Sequence, residues 1–120
     1  MAYTELKLES PNYVPITFTA AAAYSAGDVV KLENVIGVVF EDAVTGDDLV
    51  VIGQADKITV PKSTDSVEGV FATGDAVYYD SGDATFNNES SGNTRCGIAL
   101  AAAVASATEV SIYLNGLENA

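Results

Sequence analysis

The stretch AGDVVKLENVIGVVFEDA, Ala26–Ala43, decides the fold. It holds a β-branched run, Asp28–Leu32, then the pair Glu33-Asn34, then a second apolar run, Val35–Asp42, with Gly37 inside it. Two short β-branched runs around a two-residue break read as a hairpin. A glycine within such a run marks a bulge or a close backbone approach. The phrase returns downstream. TGDAVYYD (Thr73–Asp80) repeats its opening, with Gly74-Asp75 answering Gly27-Asp28 and Val77 answering Val30 at an offset of 47 residues. RCGIALAAA (Arg95–Ala103) repeats its close, with Gly97 against Gly37 at an offset of 60. The polar stretch Ser81–Thr94 accounts for the longer second copy, and Thr85-Phe86 within it suggests a short hairpin arm.

After each copy comes a third run. VTGDD turns into LVVIG (Leu49–Gly53), and TEVSIYL (Thr108–Leu114) answers it with Val110 against Val50 and Ile112 against Ile52. The repeated unit thus reads as three strands. A three-stranded sheet exposes an apolar face, and two such units can bury both faces as a small barrel or sandwich. The expected fold is all-β and compact, one domain over 16–116, with an N-terminal extended arm over 1–15 and a tail over 117–120. ITFTAA (Ile16–Ala21) reads as the first strand of the body, and KITVP (Lys57–Pro61) as a separate strand after a short break. Gly27, Asp28, Gly74 and Asp75 are expected in turns, where glycine supplies positive φ and aspartate bonds the local backbone. Gly37 and Gly97 are the in-strand pair.

Composition narrows the function. The chain has 120 residues, 48% apolar, with six tyrosines, four phenylalanines and no tryptophan, so its core is aliphatic and modest. Seventeen acids oppose five bases for a net charge of −12. Such a surface repels nucleic acid and anionic membranes, and Lys7, Lys31, Lys57, Lys62 and Arg95 are too scattered to make a basic stripe. No stretch is long and apolar enough to span a bilayer. The first residues carry Glu5, Lys7 and Glu9 where a secretion signal needs an apolar run, so none is expected. Cys96 is the single cysteine, expected as a small buried hydrophobe.

There is no histidine, so no Ser-His-Asp triad and no His-ligated metal can be drawn. The chain has no P-loop and no G-x-S-x-G elbow. The acidic pairs Glu41-Asp42, Asp47-Asp48 and Asp80 with Asp83 fall in turns and lack the calcium-loop spacing, so they read as solvated turn carboxylates rather than a Ca²⁺ or glycosidase site. No cofactor is expected. Asn88-Glu89-Ser90 spells a glycosylation sequon that a chain without a secretion signal would not use. Tyr78 and Tyr79 point to opposite faces of one strand, one toward the core and one outward.

In order, the segments SAGDVVKLENVIGVVFEDAVTGDDLVV, VPK, ATGDAVYYD, RCGIALAAA and VSIYLNG resemble the small capsid decoration (cement) proteins of tailed bacteriophages. The carriers are the Ala-Gly-Asp-x-Val opening, Pro61-Lys62, the Gly74–Asp80 element and the Val110–Gly116 strand. The sequence departs from that pattern at Tyr79, where the family pattern has Trp, and in a longer Tyr- and Pro-containing N-terminus. The resemblance implies a structural protein without catalysis that binds the outer surface of an expanded head. Its implied partners are the major capsid protein and its own copies, as a homotrimer, with no nucleic acid and no membrane. It implies a virion location after synthesis in the host bacterial cytoplasm. The part-alternating segment at the N-terminus, with Tyr3, Glu5, Leu6, Lys7 and Leu8, is the candidate arm for a capsid or neighbouring subunit. A carbohydrate- or host-surface-binding β module is the alternative, and it needs exposed loop aromatics, of which Phe86 is the main candidate. A small carboxylate hydrolase is a third reading; it needs two acids held together in a pocket.

Overall fold

The computed structural model describes residues 7–9, 11–82 and 84–117. Among them are nine strands and no helix: β1 (Lys7–Leu8), β2 (Tyr13–Thr19), β3 (Val29–Leu32), β4 (Val35–Val39), β5 (Asp48–Pro61), β6 (Ala76–Asp80), β7 (Thr85–Asn87), β8 (Thr94–Ala99) and β9 (Glu109–Asn115). All pair antiparallel in one sheet of order β3-β4-β5-β9-β8-β6-β7, with β1 and β2 also on β5. The sheet curls into a nearly closed, barrel-like globule.

The two runs LVVIG and KITVP form one strand of 14 residues, β5. The polar residues between them look like a break because Asp56 and Lys57 are exposed. The ladder with β9 absorbs them in a register shift between Ala55 and Ile58, and the Asp56 amide bonds the Asn12 carbonyl at 3.1 Å. Both edges of β5 are shared. Ile52 pairs with Pro15 of β2 and Val38 of β4, whereas Ile58 pairs with Leu8 of β1 and Ile112 of β9. Pro15 sits beside the β2 register shift, where the missing donor is tolerated.

The repeat is visible in the register. Val30 faces Gly37, and Val77 faces Gly97. The Gly27 amide bonds the Val39 carbonyl at 2.9 Å, and the Gly74 amide bonds Ala99 at 2.8 Å. Asp28 Oδ2 accepts from the Ser25 amide at 2.9 Å, and Asp75 Oδ2 from Ala72 at 2.8 Å. The structure adds a fourth strand to each unit. β2 borders the first half of β5 as the second half of β5 borders β9: Ile16 faces Val51 and Thr17 faces Val50, while Ile58 faces Ile112 and Thr59 faces Ser111. The first unit is therefore β2, β3, β4 and the first half of β5; the second is the rest of β5 with β6, β8 and β9. The third-strand alignment moves by one residue. Val110 and Ile112 stand where Leu49 and Val51 stand, all four buried, because face parity sets the match and Thr108 is an extra residue ahead of β9.

Burial follows the two units. Ala20, Val30, Val39, Ala43, Leu49 and Val51 line the first, with Phe18, Tyr24, Leu32 and Val35 partly buried against them. The larger cluster fills the second unit with Val60, Phe71, Val77, Tyr79, Phe86, Ala99, Val110, Ile112 and Leu114, and also takes in Ile36, Val38 and Ile52 from the first. β4 is thus covered on both faces, which is why VIGVV is apolar without alternation. Neighbouring backbone closes on Gly37 and Gly97. A Cβ on Gly37 would strike the Ile52 carbonyl oxygen, and one on Gly97 the Tyr113 carbonyl oxygen. Gly27 and Gly74, at φ 92° and 94°, hold the two left-handed turns. We expect Gly97→Ala to destabilise the protein by roughly 1–3 kcal/mol, because β8 must move off β9. Gly46→Ala, at φ +93° in open space, should cost only the left-handed strain of about 1 kcal/mol. Urea unfolding midpoints of the two variants check the order.

Candidate docking surfaces

The acids hold turns. Asp28 and Asp75 cap the paired turns described above, Asp47 Oδ2 accepts from the Val44 amide at 3.1 Å, Asp42 Oδ1 from Ala26 at 2.9 Å, and Asp80 Oδ1 from Gly82 at 2.9 Å. Each carboxylate answers backbone donors of its own or a facing loop, which is local turn chemistry. Among the described residues no group of three or more His, Cys, Asp or Glu could hold a metal ion. Asp83 lies outside the described residues. The Cys96 thiol is buried and pushed up to about 12 by desolvation, so it stays protonated and unreactive at neutral pH.

In the sequence Lys62 stands out only as part of a Pro-Lys pair. It is buried, and its Nζ donates to the carbonyls of Ser63 (2.9 Å), Gly69 (2.6 Å) and Ala105 (3.3 Å). The corresponding place in the first unit is Ala20, whose amide bonds the Asp47 carbonyl as the Lys62 amide bonds Thr108. The loop that follows is longer in the second unit, and the ammonium ties it to the β8–β9 loop. Burial pulls the Lys62 pKa down from its ordinary value. Asp65 and Asn88 complete the loop. Asp65 Oδ1 accepts from the Val67 and Glu68 amides at 2.8 and 3.1 Å, and Asn88 Nδ2 donates to the Val67 and Val70 carbonyls at 2.9 and 2.7 Å. The sequon asparagine is thus occupied in structure.

The result is an apolar loop surface. Val70 and Val104 flank the antiparallel bridge Phe71–Ala103, and Val67 and Val104 are 70% and 66% exposed. The same positions of the first unit carry apolar groups too: Phe40 matches Leu100, and Val44 matches Val104, all four exposed. Phe40 stacks on Tyr13 with ring centroids 6.3 Å apart. Exposed apolar groups gathered at one structural position mark contact surfaces.

The proposed arm residues divide. Tyr3, Glu5 and Leu6 lie outside the described residues. Lys7 and Leu8 form β1 against Thr59 and Ile58, Leu8 packs on the larger core cluster, and Glu9 pairs with Lys57 at 3.8 Å and receives a hydrogen bond from Thr59. Tyr79 is buried edge-on to Phe86, and Tyr78 is half-exposed on the other face. Phe86, the loop aromatic that a carbohydrate-binding reading needs, is fully buried because β7 folds it under β6.

A family model described as phage cement protein matches residues 9–114. No curated protein matches the chain at a significant level.

Two outcomes follow from the Lys62–Asp65 loop. Lys62→Ala should destabilise by about 2 kcal/mol, since buried carbonyls lose their donor, and urea unfolding measures it. Backbone donors hold the Asp65 carboxyl below its ordinary value. A depressed carboxyl contributes above the unfolded-state pKa and loses its contribution as pH falls through the folded one. The protection of the Val67 and Glu68 amides, taken as exchange relative to the intrinsic rate at each pH, should therefore fall as the pH drops below the ordinary carboxylate range, an effect absent in Asp65→Asn and readable by NMR amide exchange.

Proposed function

The chain belongs to the phage cement protein family, and from that premise we propose how it performs a cement protein's work. It is a structural virion protein that decorates and stabilises the capsid through contacts with capsid proteins. On our reading it is made in the host bacterial cytoplasm, docks as a homotrimer on the outer surface of the expanded head and ties neighbouring major capsid subunits together. The match over residues 9–114 carries this reading. Supporting it are the exposed apolar loop positions of both units and a net charge of −12, which disfavours contact with packaged DNA. We read the protein as having no catalytic step, no nucleic-acid partner and no membrane partner. Its turn carboxylates serve the backbone, and no helix among the described residues is long and apolar enough to cross a membrane.

The N-terminal segment belongs to the proposal as a neighbour-facing arm, with Tyr3, Glu5 and Leu6 as its contact residues and Lys7 and Leu8 as its anchor on β5. Its support is the placement of β1, which brings the chain to an edge of β5 immediately after residue 6. The experiment is co-sedimentation with heads of the encoding phage before and after expansion. Saturable binding to expanded heads alone is expected, and no binding to either form refutes the reading. Deleting residues 1–6, which leaves β1 in place, should weaken binding; unchanged binding removes the arm from the proposal.

A further inference from the structure

The two units differ at one seam. In the second unit the gap between the end of β5 and β6 is closed by β7. That strand pairs antiparallel with β6, with Tyr79 facing Phe86. It also meets the end of β5: Lys62 and Phe86 form a parallel bridge, and the Ser63 amide bonds the Phe86 carbonyl at 2.9 Å. Phe86 is fully buried, in one cluster with Val60, Phe71, Tyr79 and Val110.

In the first unit the corresponding residues are Phe18, Tyr24, Leu32 and Leu49. They line a depression of about 240 Å³ together with Thr19, Ala21 and Glu33. Among the described residues no strand fills it, because the loop that supplies β7 in the second unit is here the two-residue turn Glu33-Asn34. Val60, Phe71 and Tyr79 are buried, whereas Phe18, Tyr24 and Leu32 stay partly exposed. Among the described residues β3 pairs with β4 alone. The Asp28 backbone carbonyl accepts from the Val39 amide, and Val30 and Leu32 lie on the same alternation toward β4. The backbone groups of Val29 and Lys31 therefore point to the open edge.

We propose that this seam is a strand-acceptor site, filled on the capsid by an extended segment of the partner that pairs with β3 and inserts one aromatic or large aliphatic side chain opposite Leu32. The molecule supplies the template: Phe86 opposite Tyr79 in the second unit. Charge selects the occupant. Glu33 lines the depression and Asp48 pairs with Thr19 at its rim, against one exposed base, Lys31 on β3, and the chain as a whole carries −12. A segment of a second copy, from so acidic a chain, is disfavoured in this seam, so the inserting segment carries Lys or Arg beside its apolar side chain. Strand addition at an open edge supplies main-chain hydrogen bonds, and the pocket supplies selectivity.

This inference rests on the cement reading, and the test separates the two. The full-length protein is bound to expanded heads and its amide exchange is compared with the free protein. Exchange at Val29 and Lys31 should slow at least tenfold. Leu32→Glu and Leu32→Lys, each first checked for an unchanged circular dichroism spectrum, should both bind at least tenfold more weakly. Wild-type binding with β3 amides unprotected overturns the seam while leaving decoration intact. Variants that bind like wild type overturn it as well, and so does stronger binding by Leu32→Lys, which would make the contact purely electrostatic. No wild-type binding overturns the cement reading and the seam with it.

Discussion

Ile52 and Ile58, both on β5, each have a pairing partner on either side. The first joins β2 and β4, and the second joins β1 and β9. β5 is therefore the last strand of one unit and the first strand of the next. Neither unit can complete its sheet without it. A small aliphatic core gives modest stability, and sharing a central strand removes two edges that would otherwise need cover. The hydrogen bonds of Gly116, to Gly53 and from Ile36, join the far end of β9 to the same junction.

Two units on a shared strand can differ at their loops, and two loops are longer in the second unit. One carries Lys62, whose ammonium replaces the methyl of Ala20 and holds three carbonyls. The other carries β7 and Phe86, which close its core. The first unit kept both loops short and retains an open apolar seam. Closure of one unit stabilises the fold, while the open one leaves an edge for a partner. A capsid-binding protein needs both: a body that survives alone, and a surface completed only on the shell.

The acidic composition fits this division. Its carboxylates cap the tight turns of a β meander, and their shared sign keeps free copies apart. The same charges at the seam favour a basic segment over another copy of the chain.

Local signals in the chain are enough for the β class, the hairpin at Glu33-Asn34, the paired Gly-Asp turns and the matching of Val30–Gly37 with Val77–Gly97. Those features rest on local physics: β-branched runs, turn residues with positive φ or backbone-bonding side chains, and glycines where strands press close. The order of those motifs also carries the family resemblance. The remaining features depend on contacts between distant parts of the chain. That LVVIG and KITVP are one strand depends on partners far along the chain, and the counterpart of Ile16-Thr17 at Ile58-Thr59 was legible only as two repeated letters. The one-residue shift at β9 follows from which face meets the core, which alternation alone could not fix across a degenerate match. Burial of Lys62 and Phe86, and the exposure of Phe18, Tyr24 and Leu32, depend on which loop reaches back to cover its own unit. That is a property of three-dimensional closure, where cover comes from residues distant in sequence.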